Sequence, residues 1–87
     1  MTKPEAELFG RRLREVRLMR GLSQAGLAEL VETSGGRLTP NYVSDLERGL
    51  KAPTLTMMLK LCRALDVRVT ELLADFSPER VRKMRLE

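Results

Sequence analysis

Apolar residues recur at helical spacing along most of the chain, and no stretch shows the alternation of a strand. Phe9, Leu13 and Val16 step by four and three, which predicts a first helix over residues 5–20. Glu5 and Glu7 in its first turn and Arg17 and Arg20 in its last suit the helix dipole. Gly21 follows as a stop. Leu27, Leu30 and Val31 mark one face of a second helix over residues 24–32, with Ser23 placed to cap it. Gly26 falls inside that helix at a cost of ~1 kcal/mol relative to Ala, and nothing in the sequence explains it. Thr39 can cap a third helix over residues 40–48, with Pro40 at the first helical position, where a missing N–H costs nothing, and Gly49 at its end. Val43 and Leu46 point inward from it. Asn41, Ser44 and Asp45 are left outside.

Residues 54–65 form a fourth helix of unusual width. Leu55, Met58, Leu59, Cys62 and Leu65 are apolar, with Met57, Leu61 and Ala64 beside them. Only Thr56, Lys60 and Arg63 make a polar stripe. So broad an apolar face predicts burial on two sides, by a fifth helix or by a second subunit. Met57 and Leu61 lie at the edge of that face and are the residues expected to be left for a contact. Thr70 is placed to cap a last short helix over residues 70–74, with Leu72 and Leu73 buried. Ser77, Pro78 and Glu79 make a good helix start, but Arg80, Arg82, Lys83 and Arg85 then crowd it. Residues 77–87 read equally as a disordered basic tail or an additional helix, and residues 1–76 as the domain proper. Val81 and Met84 stand at helical spacing to pack on the fourth helix, within one chain or across two. The fold class is all-α.

Two short capped helices side by side, within residues 23–49, suggest a helix-turn-helix, a device for placing one helix in a DNA groove. Composition is compatible with that and narrows the alternatives. The formal net charge is +4, and Arg outnumbers Lys, which favours forked contacts to phosphate. Aromatic residues are 3%, too few for the stacking surfaces that bind single strands. Cys62 is the single cysteine and there is no histidine, so neither a Cys/His zinc site nor a His base is available. With no phosphate loop and no clustered carboxylates, no enzyme, metal or cofactor is expected. The N-terminus lacks a signal-peptide core. No apolar stretch approaches the ~20 residues of a membrane span. A cytoplasmic protein, associated with the nucleoid, is the expectation.

The runs GLSQAGLAEL, YVSDLERGLKAPTLTMMLKLCRALDV and VTELL resemble the Cro/cI-type (XRE) helix-turn-helix domain over residues 9–73. The features that coincide are LeuSerGln opening helix two, small Ala28 where the helices cross, LeuGluArgGly closing helix three, and a Pro before the fourth helix. The resemblance implies a compact five-helix, lambda-repressor-like domain that binds duplex DNA, often as a homodimer on inverted repeats. It implies a transcriptional regulator, expected here to be a repressor. Three departures stand out. The segment through Glu32, Thr33, Ser34, Gly35, Gly36 and Arg37 is longer than the family's usual form. Asp66 occupies the place of a helix-stopping Gly, a mild change because Asp tolerates the left-handed conformation. Pro40 replaces a polar groove-facing side chain, so that position reads only by apolar contact or not at all.

In such a domain, phosphate contacts position the protein and base contacts specify sequence. Asn41, Ser44 and Asp45, with Pro40 at the mouth, are expected to face the major groove. Asn41 suits adenine and Asp45 can accept from cytosine N4, although Asp45 reads equally as a solvated or internally paired carboxylate. Gln24, at the N-terminus of helix two, is expected to hold a phosphate and otherwise to serve as a second cap. Thr39, Arg48 and Lys51 are expected on the backbone, with Arg37 an even choice. The resemblance gives Tyr42 a hydroxyl contact to phosphate, against plain packing. It also implies a buried Arg17–Glu47 pair joining helices one and three. Arg11, Arg12 and Arg14 read first as a solvated face and second as phosphate contacts at the edge of the site. The competing function is a protein-binding module of antitoxin or coactivator type, in which helix four or the tail holds a protein partner.

Overall fold

The computed structural model describes residues 2–33 and 38–87 and, among these, every regular element is a helix. Local chemistry sets their starts. Pro4 opens α1 (Pro4–Met19), which Gly21 ends with a positive φ of 68°. Ser23 Oγ accepts from the Gly26 amide at 2.9 Å and starts α2 (Gln24–Thr33). Thr39 Oγ1 accepts from the Tyr42 amide at 3.1 Å and starts α3 (Pro40–Glu47). Thr54 Oγ1 does the same for the Met57 amide at 3.0 Å, at the head of α4 (Leu55–Leu65). Each such cap satisfies one amide that a helix leaves free and contributes about 1 kcal/mol. Asp66 ends α4 at φ 54°, ψ 50°, the left-handed conformation, and the Val67 amide reaches back to the Cys62 carbonyl at 3.1 Å.

The next element, α5 (Val69–Leu72), is a single turn with Arg68 rather than Thr70 before it. The left-handed Asp66 redirects the chain so soon that the turn begins earlier, and Thr70 lies within it. Residues 77–87 do form a helix, α6 (Pro78–Lys83), started by Ser77 Oγ accepting from the Arg80 amide at 3.2 Å.

The core collects Phe9, Leu13 and Val16 of α1, Leu27, Ala28 and Val31 of α2, Val43 and Leu46 of α3, and Leu61, Cys62 and Leu65 of α4, closed by Leu38 and Leu72. Packing runs α1 on α3, α3 on α2 and α2 on α4, while α5 touches both α1 and α4. Full burial of each large side chain stabilises by roughly 1.5–3 kcal/mol. The tightest approach is α1 to α3. A Cβ on Gly10 would stand 2.2 Å from the Leu46 carbonyl oxygen and 2.7 Å from that of Glu47. Gly49, at φ 75°, backs onto the Glu7 main chain in the same way.

Several inward positions differ from the expectation. Leu30 is at the surface, since α2 meets α3 and α4 through Leu27, Ala28 and Val31. Leu73 is only half-buried. On α4 the uncovered residues are Leu55, 70% exposed, and Leu59, 51% exposed, whereas Leu61 is fully buried and Met57 packs against the core. Met84 does not lie on α4. It lines a cleft with Pro4, Glu7 and Leu8 of α1. Among the described residues no helix is long and apolar enough to cross a membrane.

Candidate nucleic-acid interface

The third helix is held by charge as well as by packing. Arg17 Nε donates to Glu47 Oε2 at 2.6 Å and Arg17 Nη2 to Glu47 Oε1 at 2.8 Å, both side chains being buried. Arg17 Nη1 donates to the Leu22 carbonyl at 2.7 Å, so one guanidinium ties α1, the turn after it and α3. The Glu47 hydrogen bonds hold Arg17 more firmly protonated than usual, against the opposing effect of burial. Gln24 Nε2 adds a bond to Glu47 Oε1 at 3.2 Å. The side chain expected on a phosphate is therefore engaged inside the protein.

The outer face of α3 matches its spacing. Pro40 and Asn41 are exposed, Ser44 and Asp45 half-buried, and Val43 and Leu46 turned into the core. Asn41 has no side-chain partner among the described residues. Asp45 is paired, its Oδ2 lying 3.5 Å from Lys51 Nζ. That ammonium also sits 5.4 Å from the centre of the Tyr42 ring, close enough for a cation–π attraction. Tyr42 itself is half-buried and packs against the core. Two residues expected on the DNA backbone, Tyr42 and Lys51, thus hold each other and Asp45 beside the reading face. Thr39 is at the N-cap, its oxygen bonded to the Tyr42 amide. Arg37 lies outside the described residues.

Arg48 is exposed at the end of α3, without an ion pair among the described residues. It lines a cleft of about 480 Å³ with Gln24 and Ser44. The other wall of that cleft is α1, through Arg11 and Arg14. Of the three arginines read first as a solvated face, Arg12 turns away, its Nε donating to the Glu71 carbonyl at 2.7 Å. Gly10, which lets α1 approach the end of α3, carried no signal in the sequence beyond being a glycine within a helix.

A helix-turn-helix family model matches residues 13–72. The chain belongs to the helix-turn-helix family of the Cro/cI (XRE) type. This XRE-type chain is similar to the restriction-modification controller protein C.AhdI from Aeromonas hydrophila, at 43% identity and TM-score 0.70, over 78% of this chain and 91% of that one. It is similar to the clp gene regulator ClgR from C. glutamicum, at 30% identity and TM-score 0.71, over 94% and 95% of the two chains. It is also similar to the DNA-binding domain of BldD, at 35% identity and TM-score 0.68, over 83% and 97%. No curated protein sequence matches the chain. The all-helical, lambda-repressor-like architecture of this XRE-type domain is thus common to proteins named as regulators, and its residues 13–72 include every part of the α1–α3 contact except Glu7, Phe9, Gly10 and their neighbours.

Proposed function

We propose that the protein is a sequence-specific regulator of transcription that binds duplex DNA with α3 in the major groove. The observation that supports this most directly is the outer row of α3. Asn41 is exposed and unengaged, and Ser44 follows one turn on, beside free Arg48. Asn41 would read adenine through N6 and N7. Asp45 keeps Oδ1 available for a cytosine amine while Lys51 offsets its repulsion of phosphate. Pro40 contributes only apolar contact. Arg48, Lys51, Thr39 and the Tyr42 hydroxyl are the proposed backbone contacts. Gln24 contributes through the amides at the head of α2, its side chain being committed to Glu47.

We further assign residues 1–76 to the binding domain and residues 77–87 to an accessory helix, in a cytoplasmic protein that works on the nucleoid as a homodimer. Bound over a promoter, such a dimer would act as a repressor. Selecting bound DNA from a random pool tests the reading: an enriched inverted repeat is expected, and a pool with no enriched sequence would overturn it. The second reading, a protein-binding module, rests on exposed Leu55 and Leu59 of α4. It predicts a protein partner whose binding survives loss of the α3 surface residues.

A further inference from the structure

The arginines of α1 and its C-cap divide by what they touch. Arg12 donates to the Glu71 carbonyl and pairs with Glu15 at 3.3 Å. Arg17 is bound to Glu47. Arg20 Nη2 donates to the Asp66 carbonyl at 2.8 Å. Arg11 and Arg14 are exposed and have no partner among the described residues. They are three apart on one face of α1, and both open onto the cleft that Arg48 lines. Arg11 continues into a neighbouring cleft of about 330 Å³, where Arg80, Lys83 and Arg85 form the other wall. These three also lack side-chain partners among the described residues. The carboxylates alongside are already engaged: Glu47 by Arg17 and Gln24, Glu15 by Arg12, and Glu7 by the Thr2 hydroxyl. The result is a run of uncompensated cations that starts at the end of α3, crosses α1 at Arg11 and Arg14, and ends on α6.

We propose that this run is a second contact surface for the phosphate backbone of duplex DNA, continuous with the reading helix and indifferent to sequence. It rests on the reading that α3 enters a DNA groove. Three arguments favour DNA over an acidic protein. The run begins at Arg48, directly beside the reading face. Its residues are mostly arginine, whose fork fits phosphate oxygens in pairs. It also lacks the aromatic anchors that carry most protein interfaces. The accessory helix then has a purpose: it lengthens the footprint beyond what residues 1–76 reach.

The test uses the full chain and two variants, Arg11→Gln/Arg14→Gln and Arg80→Gln/Lys83→Gln/Arg85→Gln. All five residues are exposed and unpaired, so thermal unfolding should match the unaltered protein and separate binding from folding. Affinity is measured against salt on the selected duplex with flanking DNA and on an unrelated duplex. Removing a single cation from a phosphate should flatten the plot of log affinity against log salt by about 0.9 and weaken binding at 0.1 M salt by roughly five- to tenfold. Both duplexes should weaken alike, so the preference between them is unchanged. Slopes and affinities equal to those of the unaltered chain would overturn the proposal while leaving the α3 reading intact. A chain that prefers no duplex, yet binds poly-glutamate through these same residues, would overturn both.

Discussion

Arg17 and Glu47 meet across the α1–α3 contact in a two-bond fork, at 2.6 and 2.8 Å. The fork lies beside the place where the Gly10 Cα faces the Leu46 and Glu47 carbonyls. Charge pairing and close backbone approach therefore fix the same angle, and that angle aims α3. Breaking one half strands a buried charge, which costs more than the intact pair contributes.

Arg17→Ala should accordingly destabilise the fold by roughly 3–5 kcal/mol. Replacing both residues by apolar side chains of similar volume, Arg17→Met with Glu47→Leu, should be much milder. Urea unfolding of the three proteins is the measurement. Equal destabilisation in the single and the double variant would refute the pairing.

Gly10→Ala sets two effects against each other. In a helix interior the change should gain about 1 kcal/mol. Here the new Cβ would stand 2.2 Å from a main-chain oxygen that has nowhere to go. Overpacking of this kind costs roughly 1–3 kcal/mol or more, so the clash wins and α1 must back away from α3. A net destabilisation of about 1–2 kcal/mol in thermal unfolding is expected. A variant as stable as the parent would mean that the approach is looser than described.

Much of this arrangement is legible in the chain. Ser23, Thr39, Thr54 and Ser77 each cap the helix that spacing assigns to them, because a cap needs only residues within one turn. Gly26 gains a partial reason from the same cap, since a Cβ there would stand 3.2 Å from Ser23 Oγ. What spacing cannot supply is the choice within a broad apolar face. On α4 nearly every position can be buried, and only the placement of α2 and α5 decides that Leu61 goes in while Leu55 and Leu59 stay out. Contacts distant in sequence are silent as well. Arg12 to the Glu71 carbonyl spans 59 positions and Arg20 to the Asp66 carbonyl spans 46, and a carbonyl leaves no residue-type signature. The split of the α1 arginines into structural and free ones follows from those unseen partners. At the reading face, Asn41 and Ser44 are where spacing puts them, but the Asp45–Lys51–Tyr42 group commits side chains that looked available.

Asn41 and Arg48 should separate reading from positioning. Asn41→Ala should lower affinity for the selected site by roughly 1–3 kcal/mol, relax one base position and barely affect unrelated DNA. Arg48→Ala should weaken both alike and flatten the salt dependence by about one phosphate's worth of slope. An equal drop in affinity on both DNAs for Asn41→Ala would show that it reads no base.

Cys62 gives a pH signature. Burial, with a smaller contribution from the Glu71 charge, pushes its thiol up. The folded state then holds the thiol proton more tightly than the unfolded chain. This contribution is complete below the unfolded thiol pKa of about 8.5 and is lost as pH rises toward the folded value. Stability should therefore fall above that pH more steeply in the parent than in Cys62→Ala. Parallel pH profiles would contradict the assignment.

Assembly turns on Leu55 and Leu59, one turn apart on the outer face of α4. Two copies meeting there about a two-fold axis would bury four leucines, worth roughly 6–12 kcal/mol together at full burial. Association itself costs about 4–15 kcal/mol. The two ranges overlap, so the dimer should be weak in free solution and strengthened on DNA, where each subunit adds its own contacts. Sedimentation should show a monomer–dimer equilibrium at protein concentrations on the order of tens of micromolar. Leu55→Ser with Leu59→Ser should shift it to monomer without lowering the unfolding temperature, since neither side chain supports the core. The selected DNA should be an inverted repeat with half-sites about 10–10.5 base pairs apart, centre to centre. The serine variant should then bind one half-site as well as the parent does but lose cooperativity across two. A parent that stays monomeric both alone and on the full repeat would end the dimer reading and leave Leu55 and Leu59 to a different partner.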